Sequence, residues 1–124
     1  MKLFIAFGLV VSSAVSQAEH RAQATPSDTG TAAAVAVGDY ECWAFGEARA
    51  LLNFSVTKPG TYRASDGSLG TFVYDAASGD IVFTGYLAES MPAGFTAKYY
   101  EPKATPTVSF RGRGGAEASF CERT

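Results

Sequence analysis

The sequence predicts a small all-β domain, an antiparallel up-and-down barrel of about eight strands closed by one disulfide. Two observations support this fold class. From Asp39 onward, short runs rich in Tyr, Phe, Val and Thr alternate with turn residues, and the only two cysteines, Cys42 and Cys121, lie near the first and last of these runs. A two-sheet β-sandwich with an inter-sheet disulfide fits the same pattern and is the alternative.

Residues 1–18 have the features of a secretory signal peptide. Lys2 supplies a positive charge, Leu3 to Val11 is apolar apart from one glycine, and Ser16-Gln17-Ala18 places small residues where a signal peptidase reads them. Cleavage is predicted after Ala18, with Ala24 as the alternative. The apolar run is shorter than the roughly 20 residues that span a bilayer, so we expect a secreted or periplasmic protein without a membrane anchor after cleavage.

Residues 19–38 are predicted to form a flexible N-terminal arm ahead of the β domain, residues 39–124. The residues of this arm are mostly small or polar, so they bury too little apolar surface to offset the conformational entropy lost on ordering. Val35 and Val37 are candidates for a short edge strand within it.

Alternation and turn residues place the strands in order along the β domain. They are predicted near 39–45, 51–57, 61–64, 70–75, 80–85, 95–100, 106–111 and 116–122. Tight turns are expected at 58–60, 65–68, 77–80 and 112–115; all four contain glycine, and the first three also contain Pro, Ser or Asp. Only Gly46–Leu51 has helical character, enough for one turn, and the longest gap, residues 88–94, is predicted to be a loop.

Two cysteines in an exported protein most simply form one intramolecular disulfide, here Cys42–Cys121. Between the first and last strands, this bond closes the barrel and removes both sheet edges. Because Glu117 shares the face of Cys121, the alternation predicts that the cysteines lie at the outer surface or rim, whereas Trp43 and Phe120 fill the core.

The pattern Tyr40-x-Cys42-Trp43, followed by Gly60-Thr61-Tyr62, the segment from Asp66 to Leu87 and Cys121-x-Arg123, resembles a loose group of small exported bacterial β proteins. That resemblance covers most of the mature chain and implies a fold and a compartment, with no activity attached. A weaker likeness is to the periplasmic metalloprotease inhibitors, which are eight-stranded barrels with one disulfide and a mobile N-terminal arm. Their disulfide does not join the first and last strands.

The residue types of the mature domain disfavour catalysis. His20, the only histidine, lies at the cleavage point, which removes the commonest general base and the usual zinc, copper and haem ligand sets. Asp66, Asp75 and Asp80 are the remaining acid–base candidates, but each adjoins a glycine-containing turn and is predicted to be a turn residue. We therefore expect no catalytic residues, no metal and no cofactor.

Charge argues against nucleic acid as a partner. Counting from Thr25, eight Lys and Arg face eleven Asp and Glu, giving about −3. Arg111-Gly112-Arg113-Gly114-Gly115 resembles an Arg-Gly nucleic-acid segment but is predicted to be a hairpin turn with two solvated arginines.

These observations favour a monomeric, non-catalytic binding or protein-interaction module that uses residues 25–38 or 88–94, with its partner unknown. The alternatives are a lipocalin-like binder of a small apolar ligand inside the barrel, which has room for packed side chains or one ligand, and a protease-inhibitor-like barrel. An enzyme is the least supported class. Weak ligand-binding candidates are Tyr86, Tyr99 and Tyr100, since adjacent tyrosines in a strand must face opposite sides.

Overall fold

The computed structural model describes residues 32–124; the predicted signal peptide and residues 19–31 of the predicted arm lie outside the described residues. Within residues 32–124, no helix has the length and apolar character needed to cross a bilayer. The strands in this part of the chain are β1 (Gly38–Ala44), β2 (Glu47–Ala48), β3 (Phe54–Lys58), β4 (Thr61–Ala64), β5 (Leu69–Tyr74), β6 (Asp80–Phe83), β7 (Thr96–Tyr100), β8 (Thr107–Arg111) and β9 (Glu117–Arg123). A short helix, α1 (Tyr86–Ser90), lies between β6 and β7, and 3₁₀ turns span Ala50–Leu52 and Pro102–Ala104.

Eight of these strands form a closed antiparallel barrel in which sequence neighbours pair. The order runs from β1 to β3 and onward to β9, and β9 returns to pair with β1. The two-residue β2 pairs with the end of β1 as a small hairpin. The predicted up-and-down barrel is therefore confirmed, and the sandwich alternative is wrong because the sheet is continuous.

Because the strands alternate in direction, their connections gather at two ends of the barrel. The end that carries the β1–β2 turn, α1 and the β8–β9 turn is called the α1 end. The opposite end, where residues 32–37 approach β1, is called the N-terminal end.

The predicted strands correspond to the barrel strands, and the differences lie in the connections. β3 begins at Phe54 rather than at Leu51, because Ala50–Leu52 forms a 3₁₀ turn. The loop prediction for residues 88–94 is wrong at its start, since α1 extends to Ser90 and contains the good helix formers Leu, Ala and Glu. Residues 32–37 form no strand; Val35 is instead buried against the core.

Cys42 and Cys121 lie directly opposite each other in the β1–β9 ladder and form a disulfide, with Cα atoms 3.9 Å apart. The predicted closure of the barrel is confirmed, but the predicted faces are wrong. Both cysteines are buried in the core, whereas Trp43 and Phe120 pair across the outer surface and are partly exposed.

A β-bulge in β9 explains why the faces predicted from the alternation were wrong. Phe110 pairs with Ser119 but Arg111 pairs with Glu117, so Ala118 is an extra residue in the ladder. The side-chain alternation reverses at such a bulge. Glu117 therefore lies outside the barrel, where its carboxylate accepts a 2.7 Å hydrogen bond from the Ser109 hydroxyl, although Cys121 points inward.

Aromatic side chains fill the barrel interior. Tyr40 and Phe54 stack in parallel with ring centroids 4.9 Å apart. Phe83 lies among four further rings, with centroid distances of 5.5–6.0 Å to Phe54, Tyr62, Phe72 and Phe110. The pairs of Phe83 with Phe54 and Tyr62 are edge-to-face, and such pairs add about 0.5–1.5 kcal/mol each beyond area burial, so the interior is a stabilising core.

The disulfide should be a main contributor to stability. Replacing both cysteines (C42A/C121A) is expected to lower the free energy of unfolding by roughly 2–4.5 kcal/mol, because the bond joins residues 79 apart and constrains the unfolded chain. Urea denaturation measures this difference. Non-reducing peptide mapping first verifies the bond in the parent protein. A variant as stable as that parent would contradict the expectation.

Because Phe54 is buried and Trp43 lies on the outer surface, truncating each to alanine should lower the free energy of unfolding by different amounts. Phe54→Ala, at a buried position, is expected to destabilise by about 3–5 kcal/mol, whereas Trp43→Ala on the outer surface should cost less than about 1.5 kcal/mol. Urea melts of the two variants give the comparison. Equal costs would mean that Trp43 is packed in the core.

Candidate functional site

A buried tyrosine holds the connection that covers the α1 end. The Tyr62 hydroxyl donates to the Thr84 carbonyl oxygen at 2.5 Å and accepts from the Leu87 amide at 3.0 Å. These two bonds fix the start of α1, and Leu87 inserts into the barrel core. Gly70 makes room for the tyrosine, since a Cβ there would lie 2.4 Å from the ring of Tyr62.

An apolar cleft of about 180 Å³ opens at the α1 end, between the β6–β7 connection (residues 84–95) and the barrel wall. No ionisable side chain lines it, so it suits an apolar group. Its volume lies below the roughly 300 Å³ at which small-molecule sites begin, so it has room for a side chain rather than a whole ligand. The connection contributes Leu87, Ser90, Met91, Pro92 and Phe95, and the barrel side contributes Ala44, Leu52, Phe110 and Ser119.

Two exposed apolar residues are sequence neighbours of residues that line this cleft. Phe45 is 87% exposed and Leu51 is 74% exposed, and each is next in sequence to a residue that lines the cleft. A lone exposed apolar residue needs no explanation, but two near an apolar cleft make this end of the barrel a candidate interaction site. Phe45, Leu51 and the cleft are together called the apolar rim site.

The backbone at Phe45 is strained. Phe45 and Gly46 are the central residues of the two-residue β1–β2 turn, and their φ angles are 55° and 78°. Positive φ at both positions is the type I′ combination, which favours Asn-Gly. A bulky aromatic residue is an outlier in this region, and such strain concentrates at functional positions.

Residues 32–37 cover the N-terminal end and are held by tyrosine hydroxyls. Val35 is buried there, so this part of the predicted arm packs on the barrel. Backbone groups that a strand would otherwise pair are satisfied by side chains instead. The bonds run from the Tyr74 hydroxyl to the Ala32 carbonyl (2.6 Å), from the Tyr40 hydroxyl to the Ala36 carbonyl (2.7 Å), and from the Ala36 amide to the Tyr99 hydroxyl (3.0 Å).

The candidate tyrosines do not come together. Tyr99 is buried, donates to the Glu101 carboxylate at 2.5 Å and supports the N-terminal segment. Tyr100 faces outward and is partly exposed, which confirms that the adjacent pair occupies opposite faces, while Tyr86 lies at the start of α1 at the far end. Their ligand-binding role stays a prediction.

The acidic candidates are turn residues, as predicted. Asp66 accepts from the Ser68 hydroxyl and amide at the α1 end, and these bonds lower the pKa of Asp66. Asp75 and Asp80 flank a turn at the N-terminal end, where the bond from Lys98 lowers the pKa of Asp80. Asp66 therefore lies at the opposite end of the barrel from Asp75 and Asp80 and cannot share a substrate with them. Within residues 32–124, no three His, Cys, Asp or Glu side chains form a metal-binding group.

The Arg-Gly segment forms the β8–β9 turn, as predicted, but of its two arginines only Arg113 is exposed, whereas Arg111 is partly buried. Its arginines bind the protein itself: Arg111 donates to the Ser109 hydroxyl at 3.0 Å, and Arg113 donates to the Ala93 carbonyl at 3.3 Å. Arg113 therefore ties this turn to the β6–β7 connection that lines the cleft.

No protein-family model, curated protein or solved structure matches this chain. The resemblances carried by the Tyr40-x-Cys42-Trp43 pattern stay predictions. Function is therefore argued from the site, because a barrel fold by itself hosts many functions.

Sequence reasoning missed the apolar rim site. The phenylalanine in the Phe45-Gly46 turn was a usable signal, because a type I′ turn favours asparagine at that position. The cleft itself left no local signal, since it is assembled from distant segments by the placement of α1.

The buried tyrosines at the N-terminal end predict loss of stability at high pH. Burial raises the pKa of Tyr40 from 10.0 to about 12 and also raises the pKa of Tyr99. The unfolded chain then releases these protons first, so the stability is fully present below pH 10 and falls as the pH rises toward about 12.

Urea denaturation between pH 8 and pH 11.5 tests this expectation. Tyr40→Phe should flatten the alkaline decline while costing about 1 kcal/mol at neutral pH from the lost hydrogen bond. Tyr86→Phe, outside the tyrosine group at the N-terminal end, is the matched control. The same alkaline slope in both variants would disprove the assignment.

Proposed function

We propose that this protein is an exported, non-catalytic module that recognises another protein through the apolar rim site. The observation that carries the proposal is Phe45, an aromatic side chain held almost fully in solvent by a strained turn beside an apolar cleft. In the free protein the Phe45 ring stays in water and adds almost no apolar burial. A partner that covers Phe45 recovers about 1.5–3 kcal/mol from its burial.

The shape of the site supports a macromolecular partner over a small ligand. A lipocalin-like ligand would need the interior that Tyr40, Phe54, Tyr62 and Phe83 occupy. By contrast, a cleft of about 180 Å³ with two exposed apolar neighbours resembles a hot spot, in which one anchoring side chain of the partner enters a pocket.

Export is part of the proposal and draws on separate support. The first 18 residues have signal-peptide features, and the buried Cys42–Cys121 bond suits an oxidising compartment. The protease-inhibitor-like alternative depends on the N-terminal arm, whose described part is held at the end opposite the apolar rim site.

Site-specific photo-cross-linking in the producing organism tests the proposal. A photoreactive amino acid in place of Phe45 or Leu51 is expected to give discrete protein adducts. The same group in place of Val37, an exposed apolar residue at the N-terminal end, is the matched control. Equal adducts from Val37, or none from Phe45 and Leu51, would show that the apolar rim site is not the interface.

Phe45→Asn separates function from folding. Asparagine tolerates the positive φ of the turn, so this variant should be more stable than the parent by about 1 kcal/mol. It should nevertheless lose most of the adduct formed from a cross-linker at Leu51. A variant that keeps its adducts would contradict the role of Phe45.

A further inference from the structure

The cleft of the apolar rim site has the size of one aromatic ring. Its buried lining residues include Leu87 and Phe110, and its exposed lining residues are Ser90 and Pro92, so the cleft is open to solvent on one side. A cavity of roughly 150 Å³ with an apolar lining holds one benzene molecule. At about 180 Å³, the cleft therefore has room for one phenyl ring.

The protein displays a phenyl ring at the same end of the barrel. Phe45 follows directly after Ala44, which lines the cleft, and it is 87% exposed. A ring with that exposure lies outside the cleft of its own chain. Each copy of the protein therefore presents both a phenyl ring and an apolar cleft of matching size at the α1 end.

The position of both features at one end favours a closed pair of copies. In a two-fold symmetric dimer the same surface is used on both subunits, so each contact occurs twice. If Phe45 and the cleft lay at opposite ends of the barrel, the same contact would build an open filament. Because both lie at the α1 end, two copies can insert their rings into each other and close.

The charges near Phe45 are compatible with a second copy. The whole chain has a net charge of −2, but no ionisable side chain lines the cleft. The β1–β2 hairpin that carries Phe45 has one acid and one base, Glu47 and Arg49, which lie 3.3 Å apart and remain 72% and 40% exposed. A two-fold axis beside this hairpin brings Glu47 of each copy towards Arg49 of the other, which is a complementary arrangement.

We propose that the partner at the apolar rim site is a second copy of this chain, bound as a two-fold dimer in which Phe45 of each copy enters the cleft of the other. This inference rests on the proposed function, because it names the partner of the same site. Leu51, 74% exposed and next to Leu52 of the cleft lining, lies within the contact. The dimer contrasts with the monomer that the sequence favours.

Sedimentation equilibrium of the purified protein measures the dimer Kd. Burial of one phenyl ring lowers a Kd by about tenfold or more, and Phe45→Ala removes two such contacts, so this variant should raise the Kd by about a hundredfold. Ser90→Trp, which places a large ring at the open side of the cleft, should have a similar effect. The matched controls are Val37→Ala, at an exposed apolar position of the N-terminal end, and Ser90→Ala, which leaves the cleft open; both should dimerise like the parent.

Mixing the two weakened variants tests the exchange of rings. A mixed pair keeps one contact, in which Phe45 of the Ser90→Trp chain enters the cleft of the Phe45→Ala chain. It should therefore associate about tenfold more tightly than either variant with itself. This recovery would also show that both variants fold. A mixed pair that is no tighter than the variants alone would overturn the reciprocal contact.

Photo-cross-linking gives a second readout on a chain that keeps both Phe45 and the cleft. A photoreactive amino acid replaces Leu51, and isotope-labelled and unlabelled protein are mixed in equal amounts. Cross-linked peptides should join labelled to unlabelled chains and include residues 87–95. Adducts confined to single chains, or a parent protein that stays monomeric at millimolar concentration, would overturn the inference.

Cross-linking in the producing organism then separates this inference from the proposed function. If the purified protein is monomeric but Phe45 and Leu51 capture a different protein, the second copy is the wrong partner and the proposed function stands. If they capture nothing, the proposed function fails as well.

Discussion

The pairing of β1 with β9 is the constraint on which the rest of this structure depends. Cys42 and Cys121 face each other across that pair and fix it covalently inside the barrel. Once the first and last strands are joined, the sheet has no terminal edges, and its inward side chains form a single enclosed core. The aromatic interior, the two separate ends and the outward position of Trp43 all follow from this closure.

Buried tyrosines hold the segments that cover the two ends of the barrel. Each ring fills the core while its hydroxyl reaches irregular backbone that has no strand partner. Tyr62 does this for the start of α1, and Tyr40 and Tyr99 do it for residues 32–37. The two ends differ in how completely they are covered. The N-terminal segment buries Val35, whereas the connection through α1 leaves an apolar cleft beside it.

Alternation and turn chemistry were sufficient to predict the eight barrel strands and the disulfide, because both depend on local periodicity and on two cysteines having one possible mate. The faces were not predictable by the same count. The alternation of β9 reverses at Ala118, so the charge of Glu117 does not indicate which face Cys121 occupies. In β1, exposed Asp39 and Glu41 share the face of Trp43, and giving them more weight than one aromatic residue would have yielded the correct assignment. The apolar rim site depends on how α1 sits on the barrel, which periodicity does not encode.

The apolar cleft and a groove of about 290 Å³ between β6 and β7 have a common origin. Met91 and Phe95 line both, because the connection through α1 turns away from β6 at Thr84 and rejoins the wall only at Thr96. A tight β6–β7 hairpin would extend the ladder through Phe83 and would remove both openings. The β6–β7 ladder instead stops at Ile81, after two paired positions. The disulfide lies elsewhere, on the β1–β9 pair, although Phe83 of β6 remains at the centre of the aromatic core. The β1–β9 pair keeps four paired positions, from Tyr40–Arg123 to Trp43–Phe120, so the barrel stays closed although the β6–β7 ladder is short.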